Sequence, residues 1–252
     1  MQKLILLFLA LFFYTSSVNA QDKKKIREEQ NPFSEARFNY FKETIILFNE
    51  YLDTKNGSFN TTTFRLLKPI GNRAWTIRFD TPLVSTNSST KNKTGLGDLS
   101  IATSFIPFLT KTSGIATRVR LIANTATDRN FGLGKWVVVP AIFYGTFIDS
   151  AKNIVFITDL EYQYSIAGDT NRDDVRITVL ENSLIYSFSK NWMSANISFR
   201  YNEVLNGFQN STFIEFGRKI TPDSFFYIHP SLAFGNKKAY NYGFEVGMLI
   251  RY

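Results

Sequence analysis

Residues Tyr240 to Tyr252 read YNYGFEVGMLIRY and alternate without a break. Tyr240, Tyr242, Phe244, Val246, Met248, Ile250 and Tyr252 fall on one side. Asn241, Gly243, Glu245, Gly247, Leu249 and Arg251 fall on the other. Successive side chains of a strand point to opposite faces, so the pattern predicts one apolar face and one largely polar face. Thirteen residues exceed the about five or six of an ordinary strand.

The same rhythm recurs upstream. Trp75, Ile77 and Phe79 oppose Thr76, Arg78 and Asp80; Val119 and Leu121 oppose Arg118 and Arg120. Leu160, Tyr162 and Tyr164 oppose Asp159, Glu161 and Gln163, and Met193, Ile197 and Phe199 oppose Ser194, Asn196, Ser198 and Arg200. The chain divides into twelve such segments: 41–52, 58–69, 73–83, 97–109, 115–125, 135–148, 153–166, 175–188, 191–202, 208–220, 224–235 and 239–252. The first, sixth and eighth alternate poorly.

Connections differ by parity. Ile70-Gly71-Asn72, Thr110 to Gly114, Asp149 to Lys152, Ser189-Lys190 and Thr221-Pro222-Asp223 are short, whereas Val84 to Leu96, Ala126 to Gly134 and Ala167 to Asp174 are longer and polar. Tight turns at one end and long loops at the other are the layout of an outer-membrane barrel. In lipid every backbone group must pair internally, so such a sheet has to close on itself. The reading is therefore all-β: a closed antiparallel transmembrane barrel of about twelve strands, spanning residues 39–252. A soluble sandwich is the rival, but it has no reason to sort its loops by parity.

Composition narrows the function. Among 252 residues there are no cysteines and one histidine, which excludes disulfides, thiolate sites and multi-histidine metal centres. Neither metal nor cofactor is expected. The net charge is +8, yet residues 1–20 read as a cleaved signal peptide, with Lys3, an apolar stretch Leu4 to Phe13 and Val18-Asn19-Ala20. An exported protein rarely meets nucleic acid, so Lys23-Lys24-Lys25 reads as part of a polar periplasmic segment over residues 21–38. The expected location is the outer membrane. Trp75, Trp136 and Trp192 fall at segment ends, where aromatic girdles meet the membrane–water boundary.

At Gly95-Leu96-Gly97-Asp98 the chain resembles the outer-membrane family labelled "MetA-pathway of phenol degradation". Trp75 to Arg78 with Thr81-Pro82, and Gly134-Lys135-Trp136 with Pro140-Ala141 and Tyr144, resemble the flanking parts of that family. The resemblance implies a porin or transporter-like barrel passing small compounds, hydrophobic or aromatic ones among them. The closing aromatic Tyr252 resembles the signal by which barrel-assembly machinery recognises its clients. Read from the residues alone, Gly95 and Gly97 suit positive φ where a loop re-enters a strand, and Asp98 opens a polar phase that faces inward.

The polar phases together place Arg65, Arg78, Asp80, Asp98, Arg118, Arg120, Asp159, Glu161, Arg200, Glu215 and Glu245 in one interior. Mixed charges there form either a ladder that rigidifies the barrel or a constriction that selects a solute. Asp98 and Arg78 are expected on neighbouring strands of the lumen wall. A different function class is a structural or adhesive barrel, plugged, whose basic loops (Lys91, Lys93, Arg129, Lys237, Lys238) meet lipopolysaccharide, other outer-membrane lipid or a partner. A hydrolase would need His229 and Ser231 on the lipid side, but alternation turns both inward.

Overall fold

The computed structural model describes residues 30–35, 39–71, 74–87 and 92–252. The leader, residues 21–29 and Lys91 lie outside the described residues. The strands are β1 (Thr44–Thr54), β2 (Gly57–Ile70), β3 (Trp75–Asn87), β4 (Lys93–Leu96), β5 (Ser100–Leu109), β6 (Ser113–Ile122), β7 (Lys135–Phe147), β8 (Ile154–Gly168), β9 (Arg176–Phe188), β10 (Asn191–Asn202), β11 (Gly207–Phe208), β12 (Asn210–Lys219), β13 (Ser224–Phe234) and β14 (Tyr242–Arg251). Twelve are long. β4 and β11 are short additions that pair with β3 and β10.

Each long strand pairs antiparallel with the next, and β14 returns to β1 from Thr44↔Arg251 to Leu52↔Gly243. That last ladder removes both free edges and makes the sheet a closed barrel. Pro107 lies where the β5–β6 register shifts between Phe105 and Phe108, the kind of irregularity that tolerates a residue without an amide hydrogen. Loop length follows parity with one exception: β1 and β2 are joined by the tight turn Lys55-Asn56 on the long-loop side.

The exterior is apolar. Phe244, Met248 and Ile250 on β14 are 44%, 45% and 41% exposed, while Glu245 and Arg251 are buried inside. Trp75 and Trp136 also face outward, and Trp75 stacks on Phe105 at 4.5 Å. Trp192 does not. It is 2% exposed and points inward, so the girdle reading fails for this residue. Met193 beside it faces out, and the strand's alternation then sends Trp192 to the interior.

The inward face is less polar than the alternation suggests. Val137 and Val139 on β7 pack inside with Val175 and with Ile177 and Val179 on β9. Both faces of these strands are therefore apolar for part of their length, which is why the sixth and eighth segments alternate poorly. A second internal cluster joins Ile46, Phe147, Val155, Ile157, Ile185, Trp192, Phe225, Tyr227 and Leu249.

Residues 30–35 are not the solvated tail expected of residues 21–38. They enter the barrel end that carries the start of β1 and the finish of β14, here called the terminal end. Phe33 is 1% exposed and packs with Phe41, Ile106, Leu109 and Ala116. Its ring lies against Gly114 and Gly145, which face each other across β6 and β7. A Cβ at Gly114 would come within 2.7 Å of that ring, so the two glycines form a socket. Ser187 donates to the Glu35 carboxylate at 2.9 Å, Gln30 donates to the Lys152 carbonyl at 2.9 Å, and Arg251 donates to the Glu35 carbonyl at 3.3 Å.

Candidate functional site in the barrel lumen

Above this seal lies a cavity of about 330 Å³. Arg65, Arg78, Arg118, Arg120, Arg200 and Arg251 line it, against Asp159, Glu161 and Glu181. Phe33, Tyr40, Ile46, Phe143, Ile157 and Leu249 supply its apolar surface. Strand alternation delivers these groups from β1, β2, β3, β6, β7, β8, β9, β10 and β14 to one volume.

The charges in the β2–β8 sector are shared unequally. Asp80 accepts from Arg65 Nε at 2.8 Å and from Arg78 Nη2 at 2.5 Å. Glu161 accepts from Arg118 at 2.6 Å, lies 3.5 Å from Arg120, and takes a third bond from Gln163 at 2.8 Å. Each carboxylate thus serves two guanidinium groups. Such charge-assisted pairs are the strong ones, but one carboxylate cannot saturate two five-donor forks. The Nε atoms of Arg118 and Arg120 are buried and have no hydrogen-bond acceptor among the described residues. Arg118 also lies 4.9 Å over the Phe143 ring.

The β12–β14 sector is built differently. Trp192 donates its indole N–H to Glu215 at 2.7 Å, and Tyr227 donates its hydroxyl to Glu245 at 2.5 Å. His229 sits between these carboxylates, 3.7 Å from Glu215 and 3.9 Å from Glu245, and stacks on Phe213 at 4.3 Å. Gly217 leaves room for the Trp192 ring. Glu215 is 1% exposed and neither acid lines the cavity. Both lie inward as the alternation requires, yet packing covers them. His229 and Ser231 are inward and buried.

Asp98 belongs to neither sector. It does not pair with Arg78, whose partner is Asp80. It accepts backbone N–H groups from Thr125 at 3.1 Å, Ala126 at 3.0 Å and Leu133 at 2.6 Å. It therefore ties down the 123–134 loop. Gly95 and Gly97 do not adopt positive φ. They let the backbone run close to Phe131. Gly95-x-Gly97-Asp98 is thus a clasp for a loop, at the barrel end opposite the seal. Arg172 reinforces that layer by donating to the carbonyls of Arg129 at 2.8 Å and Gly132 at 2.5 Å. Lys93 pairs with Asp128 at 2.5 Å, and hydrogen bonding to Lys93 holds the Asp128 carboxyl below its ordinary range. Lys135 does the same for Asp174.

Sequence reasoning missed Phe33, Glu181 and Arg251 as lumen residues. Arg251 lies on the polar phase of the terminal strand, and Glu181 shares a face with Val179 and Ser183, so alternation could have found both.

No family model matches the chain, and no curated protein matches it in sequence. Solved structures do. An outer-membrane channel of the COG4313 group from Pseudomonas putida F1 superposes with a TM-score of 0.71 at 11% identity, over 84% of this chain and 96% of that one. The fold is that of an outer-membrane barrel. The NanC porin follows at 0.60 and 12% identity, over 82% of this chain and 100% of that one, and the KdgM porin at 0.57 and 9%, over 83% and 99%.

Proposed function

We propose that the chain is a narrow porin-like channel of the outer membrane, closed at its terminal end by residues 30–35 and 39–41. The observation that carries this reading is the cavity on the inside of a closed, externally apolar barrel, lined by more guanidinium groups than carboxylates. Lumen charges of this kind tune selectivity. The barrel architecture shared with channel proteins supports the same reading. In this orientation the terminal end is periplasmic, and the 97–99, 123–134 and 169–175 loops are outside. Lys237 and Lys238 on the outer side are placed to meet anionic headgroups.

The internal cluster around Trp192 and the Phe33 seal favour a second reading, a plugged structural barrel. Single-channel recording in a planar bilayer separates the two. The channel reading expects conductance from the full chain that rises several-fold in Phe33→Ala, because the ring that fills the Gly114–Gly145 socket is gone. Silence from both proteins would establish the plugged barrel.

A further inference from the structure

We propose that the lumen cavity is a binding site for a small organic anion with a compact apolar body, of the size of an aromatic carboxylate. The inference rests on the channel orientation above only for the side from which the ligand enters.

Charge is the first argument. Six guanidinium groups and three carboxylates line the cavity. Asp80, bonded to Arg65 and Arg78, offsets one of the three surplus charges, and two further inward acids, Glu215 and Glu245, are turned away into hydrogen bonds with Trp192 and Tyr227. An unbalanced set of cations held in a confined lumen attracts an oxyanion.

Unused donors are the second. Arg118 and Arg120 share one carboxylate, and their Nε–H groups are buried without an acceptor among the described residues. A planar carboxylate accepts two parallel N–H bonds from such a fork. Shape is the third. The same cavity is bounded towards the seal by Phe33, Tyr40 and Phe143, which suit an aromatic or aliphatic body. About 330 Å³ lies at the small end of ligand pockets, so an oligomeric solute would not fit as a single bound unit.

Titration calorimetry on the full chain folded in detergent tests this with benzoate, the neutral isostere benzamide and the bodiless acetate. Benzoate should bind, benzamide should not, and acetate should bind at least about tenfold more weakly. Arg120→Gln should weaken benzoate by a further order of magnitude. Arg200→Lys, which keeps the charge but loses the fork and leaves the Glu161 cluster intact, should weaken it by a smaller factor. Equal binding of benzoate and benzamide, no benzoate binding, or full affinity in both variants would overturn the proposal. Calorimetry does not depend on conductance. Benzoate binding with a silent bilayer would refute the channel and keep the site; conductance without benzoate binding would do the reverse.

Discussion

The two charged sectors of the lumen obey the same alternation and end in opposite states. On β2 to β8 the inward carboxylates Asp80 and Glu161 are each shared by two arginines, and the surplus positive charge faces open volume. On β12 to β14 the inward carboxylates are held by neutral donors, Trp192 and Tyr227, and covered by packing. Period-two patterning decides which side of the wall a residue occupies. Its neighbours across the ladder decide whether the charge is available to a solute.

The largest effect should come from the covered sector. Trp192→Ala removes a large buried ring and leaves Glu215 without its indole donor, so it should destabilise the barrel by about 3–5 kcal/mol. Urea unfolding in lipid vesicles measures this. A loss below about 1 kcal/mol would mean that the sector is loosely packed and that its acids reach the lumen after all.

Asp80→Asn strikes the open sector. Arg65 and Arg78 lose their shared anion, but both are partly solvated, so the cost should be smaller, about 1–3 kcal/mol. The same unfolding assay reads it. A cost equal to that of Trp192→Ala would erase the distinction between the sectors.

How much of this was legible depends on which physical signal carries each residue. The terminal strand and the inward placement of Arg78, Asp80, Glu161, Glu215 and Glu245 follow from alternation, because lipid demands one apolar face. For Trp192 the position at a segment end points to a girdle, but its phase, opposite to that of Met193, decides and sends it inward. Phase says nothing about Asp98 because the chain has left the strand: at residues 97–99 the ladder has ended and the carboxylate serves loop amides. Phe33 was invisible, since a single aromatic in a polar stretch carries no period. Its socket consists of two glycines brought together only by the β6–β7 register.

A smaller effect separates the two ends of the barrel. Burial pushes the Glu35 carboxyl above its ordinary value of 4.5, against the hydrogen bonds of Ser187 and Gln30. Its neutral form is favoured in the docked seal, so its contribution to docking is fully present below pH 4.5 and is lost as pH rises through the shifted value. Asp128 and Asp174 are lowered by their lysine partners. Their contribution is present above about pH 3.8 and is lost as pH falls below it. Hydrogen exchange, corrected for intrinsic rates, should show residues 30–35 better protected at pH 4.5 than at pH 7. Residues 123–134 should lose protection only below about pH 3.8. Parallel behaviour of the two ends would contradict this assignment.

The reversal potential in a planar bilayer across a KCl gradient tests the contrast most directly. The native protein should prefer chloride, Arg118→Gln with Arg120→Gln should move the potential towards potassium, and Glu215→Gln should leave it where it was. A shift from Glu215→Gln as large as that from the arginine pair, or a native preference for potassium, would show that the covered acids govern the lumen and contradict the account.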